Sequence, residues 1–508
     1  MNGAPMDLLA LSVQGARWQG IILILLITVA LATRLPAYIG DVYGEQDEAR
    51  LVVDALAWAQ AGVRNEALSE YRYYTSPGYI GLIVVVAKLA RIADISLASL
   101  LGAFNFLLSI VIVVPAYRLA IRLTDPETAL LAGLAMLFMP MLWHASTYGF
   151  PHLPALFCLI CAYLLYDRRI AGEPLIGARG DLAVVILLLV ACALFKADVY
   201  LGAAGLPALL LLRNKVTLRR VVELALILVI PVLAVVGTAQ MLLQASPTTG
   251  EYMQGYERQY PLALWHLKSW WLVEGWMMAF GFYAVPVFAL GLGVALVRGR
   301  WALVALLVLW IAAPFAFWFF RPGDSARHHL PEAFPVALGV GIAIAALSGR
   351  RWLRYGVLAL LVGAGYLRYP PTDDNFRTGG RVPESAQMVR ARMLHYHHLA
   401  REYQAMPAPR KVLLGTITNP YVDAEVLWAA ERVVRIERRP LLGYDAIQIA
   451  SIGGGRELFS ASVRLNAEEA PAAARRFSDQ GYTVYSIEYD LVLGKRIAPR
   501  RLDTLERK

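Results

Sequence analysis

The chain has 508 residues, of which 58% are apolar and only 17% charged, and a formal net charge of +10. With a positive mean hydropathy, these values exclude a disordered chain and an ordinary soluble enzyme and require many membrane spans. The basic surplus sits in short loops between apolar runs, which is a mark of membrane topology rather than a nucleic-acid footprint, so no nucleic-acid partner is expected.

In chain order, apolar runs of near-spanning length occur at about 19–37, 77–93, 96–117, 128–145, 152–166, 182–198, 199–212, 221–243, 276–297, 301–320, 329–347 and 354–368. The segment Ile21–Ala32 is followed by Arg34 and Pro36 without a small-residue cleavage site, and reads as a retained first helix. Strongly basic loops fall at Arg118–Arg122, Arg168–Arg179, Arg213–Arg220, Arg298–Arg300 and Arg350–Arg354, at every second connection. Arg17 puts the N-terminus on the cytoplasmic side. All five loops share that side only if 77–93 does not span. Its composition agrees: it is short and carries Lys88 and Arg91 in its second half, as an interfacial helix does.

The expected fold is therefore an all-α polytopic membrane bundle of about eleven transmembrane helices over residues 1–369. The first external loop, 38–95, holds interfacial helices, and the segment 199–212 is short for a full span and open to a tilted or re-entrant path. After the turn-rich Pro370-Pro371 linker, alternating strand-like and helix-like stretches predict a soluble, extracytoplasmic α/β domain over 370–508, with strands at Lys411–Thr416, Val433–Glu437, Tyr444–Ala450 and Tyr482–Glu488. Cys158, Cys161 and Cys192 lie within apolar runs, where a single C-x-x-C reads as packed thiols. The glycine-rich Ser451–Arg456 reads as a turn, not a nucleotide loop.

Every polar cluster suited to chemistry falls on the external side. Asp41, Glu45, Asp47 and Glu48 crowd the first external loop, with Arg50 following at once. A carboxylate held and partly desolvated there could serve as a general base, although a solvated loop has the same composition. Arg321, Asp324, Arg327, His328 and His329 form a cationic stretch fit for a phosphate. Because neighbouring side chains diverge, His328 and His329 make a poor metal pair. Lys196 and Asp198 sit at an outer helix end in apolar surroundings, where ionisable groups are functional or pair with one another. His152, in the short loop 147–154, reads as a catalytic, metal-binding or capping group. Tyr256 and Arg258 belong to an aromatic, amphipathic loop that includes Trp265, Trp270 and Trp271, suited to headgroups or sugar rings.

An odd-numbered bundle, a first external loop with Asp47-Glu48-Ala49-Arg50, a proline-initiated interfacial helix and a C-terminal external domain resemble the GT-C superfamily of polyprenyl-phosphate-sugar glycosyltransferases. The nearest likeness is to its protein mannosyltransferase and lipid A aminoarabinose transferase branch, in layout over roughly residues 15–370. The resemblance implies that Asp47 is the catalytic base, with Glu48 beside it, and that Arg50 contacts the substrate phosphate. The family's Lys-Gly-Pro looks similar to Lys196-Ala197-Asp198, and its Arg-Tyr-x-Leu-Pro to Arg327-His328-His329-Leu330-Pro331; both imply phosphate ligands. Two departures stand out. Thr75-Ser76-Pro77-Gly78 lacks the family's lysine, and His152 occupies the place of a second acid, which disfavours a metal bridged by two carboxylates.

The implied activity is inverting glycosyl transfer, hexosyl or pentosyl, from a polyprenyl-phosphate sugar to a hydroxyl on a glycan, lipid or protein acceptor at the external face of the plasma (inner) membrane. No cofactor is expected, and a divalent metal is not favoured. A transporter or flippase for lipid-linked saccharides fits less well, since ionisable residues are scarce in mid-membrane. A catalytically lapsed scaffold of the same fold is the third reading.

Overall fold

The computed structural model describes residues 6–39, 76–93, 97–146, 151–245, 275–319, 326–347 and 349–368, together with strand segments at 411–417, 449–453, 457–459, 464–465, 483–490 and 495–501. The first external loop upstream of residue 76, and with it Asp47, Glu48 and Arg50, lies outside the described residues, as do Tyr256 and Arg258. The chain folds as two compact units. Unit 1 comprises Met1–Val42, Phe104–Gly237 and Gln259–Ser385; unit 2 comprises Tyr43–Ala103, Thr238–Arg258 and Ala386–Lys508.

The helices, in chain order, are α1 (Met6–Ile39), α2 (Pro77–Ala93), α3 (Leu97–Val111), α4 (Val113–Leu123), α5 (Pro126–Leu137), α6 (Pro140–Ala145), α7 (His152–Ala171), α8 (Ala178–Phe195), α9 (Ala197–Tyr200), α10 (Leu206–Leu212), α11 (Leu218–Ala245), α12 (Ala284–Val297), α13 (Trp301–Phe319), α14 (Ala333–Ala345) and α15 (Arg351–Arg368). Among the described residues four stretches are long and apolar enough to cross a membrane: Trp18–Leu35, Leu100–Leu123, Leu218–Thr238 and Trp301–Trp318. Exposed Ile21, Ile24 and Leu25 on α1, and Val222, Val229 and Leu233 on α11, are tolerable only against lipid. The chain is a multi-pass membrane protein.

The 128–145 run is not one continuous helix. α5 starts under the Asp125 cap and stops before Pro140, which opens α6, because a proline nitrogen cannot donate to the preceding turn. The 199–212 run is likewise broken into α9, a 3₁₀ turn at Leu201–Gly205, and α10. This broken segment lies tight against its neighbours. A Cβ on Gly202 would stand 2.7 Å from Trp310 Nε1, and Tyr163 Oη donates to the Gly202 carbonyl at 2.7 Å.

At the centre of unit 1 is α14, buried without interruption from Ala333 to Ile344 and packed on α5 and α12. A helix apolar all round has no other place in a bundle. Close approach is secured by glycine: a Cβ on Gly291 of α12 would come within 2.0 Å of the Gly339 carbonyl oxygen of α14.

The five basic connections meet at one end of unit 1. Asp167, fully buried, takes Arg122 Nε at 2.5 Å and Arg213 Nε at 2.7 Å. Arg169 and Arg220 close on Glu223 at 2.8 and 2.7 Å. Arg300 Nη2 donates to the Leu123 carbonyl at 3.2 Å, and Arg354 pairs with Glu127 at 2.8 Å. The charge pattern along the chain thus corresponds to a physical cluster.

In unit 2, α2 buries Tyr79, Ile80, Ile83 and Val86 and exposes Val85, Leu89 and Ile92, a helical one-face pattern. The strands of unit 2 are β1 (Lys411–Ile417), β2 (Ile449–Gly453), β3 (Glu457–Phe459), β4 (Arg464–Leu465), β5 (Thr483–Asp490) and β6 (Lys495–Arg501). They form one sheet in the order β4-β3-β2-β1-β5-β6, with β1 parallel to β2 and β5 and the outer pairs antiparallel.

Candidate functional site

Helices α7, α8 and α13 each have one end at the basic cluster and bring a polar residue to the other. α7 begins with His152, directly after Pro151, and carries Arg168 and Arg169 in its last turn. Its 20 residues separate the two ends by about 30 Å. α8 leads away from Gly177 and ends at Lys196, whose extended backbone (φ −159°, ψ 106°) breaks the helix before α9. α13 leaves Arg300 and reaches Trp318. A 3₁₀ turn, Ala326–Glu332, then delivers Arg327, His328 and His329 to the same end, held by Trp310 Nε1 donating to the Pro331 carbonyl at 3.0 Å.

Asp198 is the hub. Its Oδ2 accepts the Trp318 indole N–H at 2.8 Å and faces His328 Nδ1 at 3.8 Å and His152 Nε2 at 3.9 Å. Its Oδ1 accepts the Val199 backbone N–H at 3.1 Å and stands 4.0 Å from Lys196 Nζ. His152, Asp198 and His328 are 3%, 3% and 7% exposed, so the group is buried. Trp318 also stacks on His328 with ring centres 3.6 Å apart, and the Lys196 ammonium lies 6.0 Å from the Trp318 ring centre.

Burial drives the His328 imidazole down to about 3; the Arg327 cation pushes the same way, and the adjacent Asp198 carboxylate opposes both. The ring is therefore neutral at physiological pH, with a nitrogen lone pair available to an electrophile. His152, Asp198 and His328 each offer one ligand atom, all within 4.8 Å of one another, and are the residues able to hold a metal among those described.

The two neighbouring histidines part company, as successive side chains on a tight turn must. His329, 1% exposed, turns to the fully buried Glu332, its Nδ1 3.3 Å from Oε2. Trp276 donates its indole N–H to the same oxygen.

Of the residues singled out from the sequence, Lys196, Arg327, His328 and His152 converge on one cluster, while His329 joins a second. Asp198, which the sequence offers as a functional group or as the partner of Lys196, does more than pair with the lysine. It supplies a buried carboxylate beside His152, the residue that occupies the place of the family's second acid. Trp318 and Glu332 carry no local signal, since a tryptophan in an apolar run reads as an anchor and Glu332 follows a proline-containing turn without any pattern, while Trp276 closes the aromatic stretch suited to headgroups or sugar rings.

This architecture is the GT-C fold of membrane glycosyltransferases. ArnT from Cupriavidus metallidurans, solved bound to undecaprenyl phosphate, superposes with a TM-score of 0.60 at 15% identity, covering 93% of each chain. The Archaeoglobus fulgidus oligosaccharyltransferase in complex with Zn and sulfate superposes with a TM-score of 0.51 at 12% identity, covering 94% of this chain and 72% of that one. Against the same enzyme tethered to an acceptor peptide, the TM-score is 0.50 at 12% identity and the chain spans 63% of its length. No family model and no curated protein matches the sequence.

Proposed function

We propose that the protein is an inverting membrane glycosyltransferase that moves a hexosyl or pentosyl unit from a polyprenyl-phosphate donor to an acceptor hydroxyl at the extracytoplasmic face. The observation that carries this reading is the convergence of Lys196 and Arg327 on the buried Asp198–His328 group, at the end of the bundle opposite the basic connections. In a membrane protein that end faces away from the cytoplasm when the basic loops face in. The shared fold with a protein solved on undecaprenyl phosphate supports a lipid-phosphate donor. The accompanying topology has eleven spans, a cytoplasmic N-terminus and an extracytoplasmic C-terminal domain, in the plasma (inner) membrane.

In this mechanism Asp47 takes the proton of the acceptor hydroxyl, whose oxygen attacks the anomeric carbon from the face opposite the phosphate. The bond to the lipid phosphate breaks, and the electrons collect on the departing phosphate oxygen. Lys196, Arg327 and Arg50 meet that charge, with His328 or His329 assisting, in a water-poor site where fixed cations act strongly. Glu48 shapes the field around the base. His152, Tyr256 and Arg258 are candidates for positioning donor or acceptor.

The test is transfer in proteoliposomes supplied with several polyprenyl-phosphate sugars. Asp47→Asn should abolish transfer while the protein still binds polyprenyl phosphate. Full activity in that variant would sink the assignment of the base, and no transfer from any donor by the unmodified protein would sink the reading as a whole.

A further inference from the structure

His152, Asp198 and His328 come from three separate elements, the start of α7, the break between α8 and α10, and the turn before α14. We propose that these three side chains form a zinc site whose fourth position opens toward Lys196 and Arg327.

Two imidazole nitrogens and one carboxylate oxygen are the ligand set of a three-residue zinc centre that keeps a position for water or substrate. The geometry suits a small cation. Zinc bonds of about 2.0–2.1 Å at tetrahedral angles separate ligand atoms by roughly 3.4 Å. His328 Nδ1 and His152 Nε2 stand 3.8 and 3.9 Å from Asp198 Oδ2, beyond hydrogen-bond reach yet within a few tenths of an ångström of that edge. The two rings lie 6.0 Å apart, edge to face, and their ligand nitrogens lie within 4.8 Å of one another.

The surroundings divide the labour of the carboxylate. The Val199 N–H donates to Oδ1, with Lys196 Nζ 4.0 Å from it, and Oδ2 is the oxygen turned toward both histidines. Trp318 donates to Oδ2 at 2.8 Å and stacks on His328, fixing both ligands as outer hydrogen bonds and packing do around metal centres. With nitrogen ligands in the majority, zinc is favoured over magnesium or calcium. One carboxylate leaves a bound Zn²⁺ a positive remainder, which Lys196 and Arg327 reinforce. The open position is therefore matched to an anionic oxygen, and a phosphate is the ligand if the glycosyltransferase reading holds; the metal site itself does not depend on it.

The test uses the full chain in lipid nanodiscs, incubated with Zn²⁺, freed of excess metal and analysed by elemental mass spectrometry. About one zinc per chain is expected, with a loss of tenfold or more in His152→Ala and in His328→Ala. Because an alanine leaves a hole, His152→Gln and His328→Gln should lose zinc equally, and the visible absorption of the Co²⁺-loaded unmodified protein should carry the intensity of a four-coordinate site. Zinc-free protein after incubation, or equal zinc in the unmodified protein and all four variants, would overturn the site. A second arm compares binding of undecaprenyl phosphate to zinc-loaded and zinc-stripped protein. At least tenfold tighter binding when loaded is expected; equal binding would overturn the open position and leave the transfer assay above as the separate judge of the glycosyltransferase reading.

Discussion

Trp318 holds Asp198 by an indole N–H donated at 2.8 Å, across 120 residues of chain. The same indole covers the face of His328. A single tryptophan at the end of α13 thus sets both the carboxylate and one imidazole of the cluster, which makes it the natural place to begin testing the site.

Trp318→Phe preserves a stacking ring and removes the donor. A buried carboxylate that loses a hydrogen bond is destabilised by about 1–3 kcal/mol. Thermal unfolding in detergent should show a lowered Tm, and an unchanged Tm would mean that the bond contributes nothing to the fold.

Asp198→Asn removes the anion that faces Lys196 at 4.0 Å while leaving the cation in place. Stripping one partner from a buried charge group costs on the order of 3 kcal/mol, and much of that is the stranded partner. Lys196→Met in the Asp198→Asn background should therefore recover part of the loss. Strictly additive effects in the double-mutant cycle would show that the two charges are not coupled.

At the other end, Asp167 is the shared anion of Arg122 and Arg213 and has no exposed surface. Asp167→Asn should cost about 3–5 kcal/mol. Arg219, whose side chain is 80% exposed where it meets Glu223, is the contrast, and Arg219→Ala should cost less than about 0.5 kcal/mol. Chemical or thermal unfolding of the two variants side by side decides whether burial, rather than the mere presence of a salt bridge, sets the difference.

Asp125 caps α5, accepting from the backbone N–H groups of Glu127 and Thr128 at 3.1 and 2.9 Å. Burial acts to raise its carboxyl, but these hydrogen bonds, the Thr128 hydroxyl and the Arg300 charge outweigh it and hold the group below the ordinary carboxylate range. A depressed folded-state value means that the stabilisation is complete above the unfolded-state value and is lost as pH falls through the folded one. Asp125→Ala should cost about 1 kcal/mol at neutral pH. Unfolding measured down to the acid range should show the difference from the unmodified protein shrinking below about pH 4.

Gly291→Ala would drive a methyl into the Gly339 carbonyl, whereas a Cβ on Gly293, one turn-half away, meets nothing within 4 Å. Overpacking a close helix contact costs about 1–3 kcal/mol, so Gly291→Ala should lower the Tm. Gly293→Ala, by helix propensity, should leave it unchanged or raise it by an amount equivalent to at most about 1 kcal/mol. Equal behaviour of the two would argue against the α12–α14 approach.

Much of the membrane layout was legible along the chain because hydrophobicity and basic charge act locally. Apolar residues must leave water in runs, and the five basic loops that alternate along the sequence are the ones that meet around Asp167, Glu223, Leu123 and Glu127. Lys196, Arg327, His328 and His152 were legible as polar residues at helix ends, since an ionisable group there needs a reason. Their mutual distances were not. The turn at Lys196–Asp198 was legible as the boundary between two apolar runs, and the structure breaks the helix there with extended backbone at Lys196 although Phe195-Lys196-Ala197 contains no proline or glycine.

What the sequence by itself determined is the class of molecule, a multi-pass bundle with its basic connections at one end, since transfer from water to lipid is a sum over local residues. What only the tertiary structure decided is that Asp198, and not a residue on the α7 end, is the acid beside His152, and that His328 joins it while His329 goes to Glu332. Those pairings depend on how α7, α13 and two short turns close on one another. Distances of that kind are settled by packing at native density, to which residues far apart in the chain contribute equally.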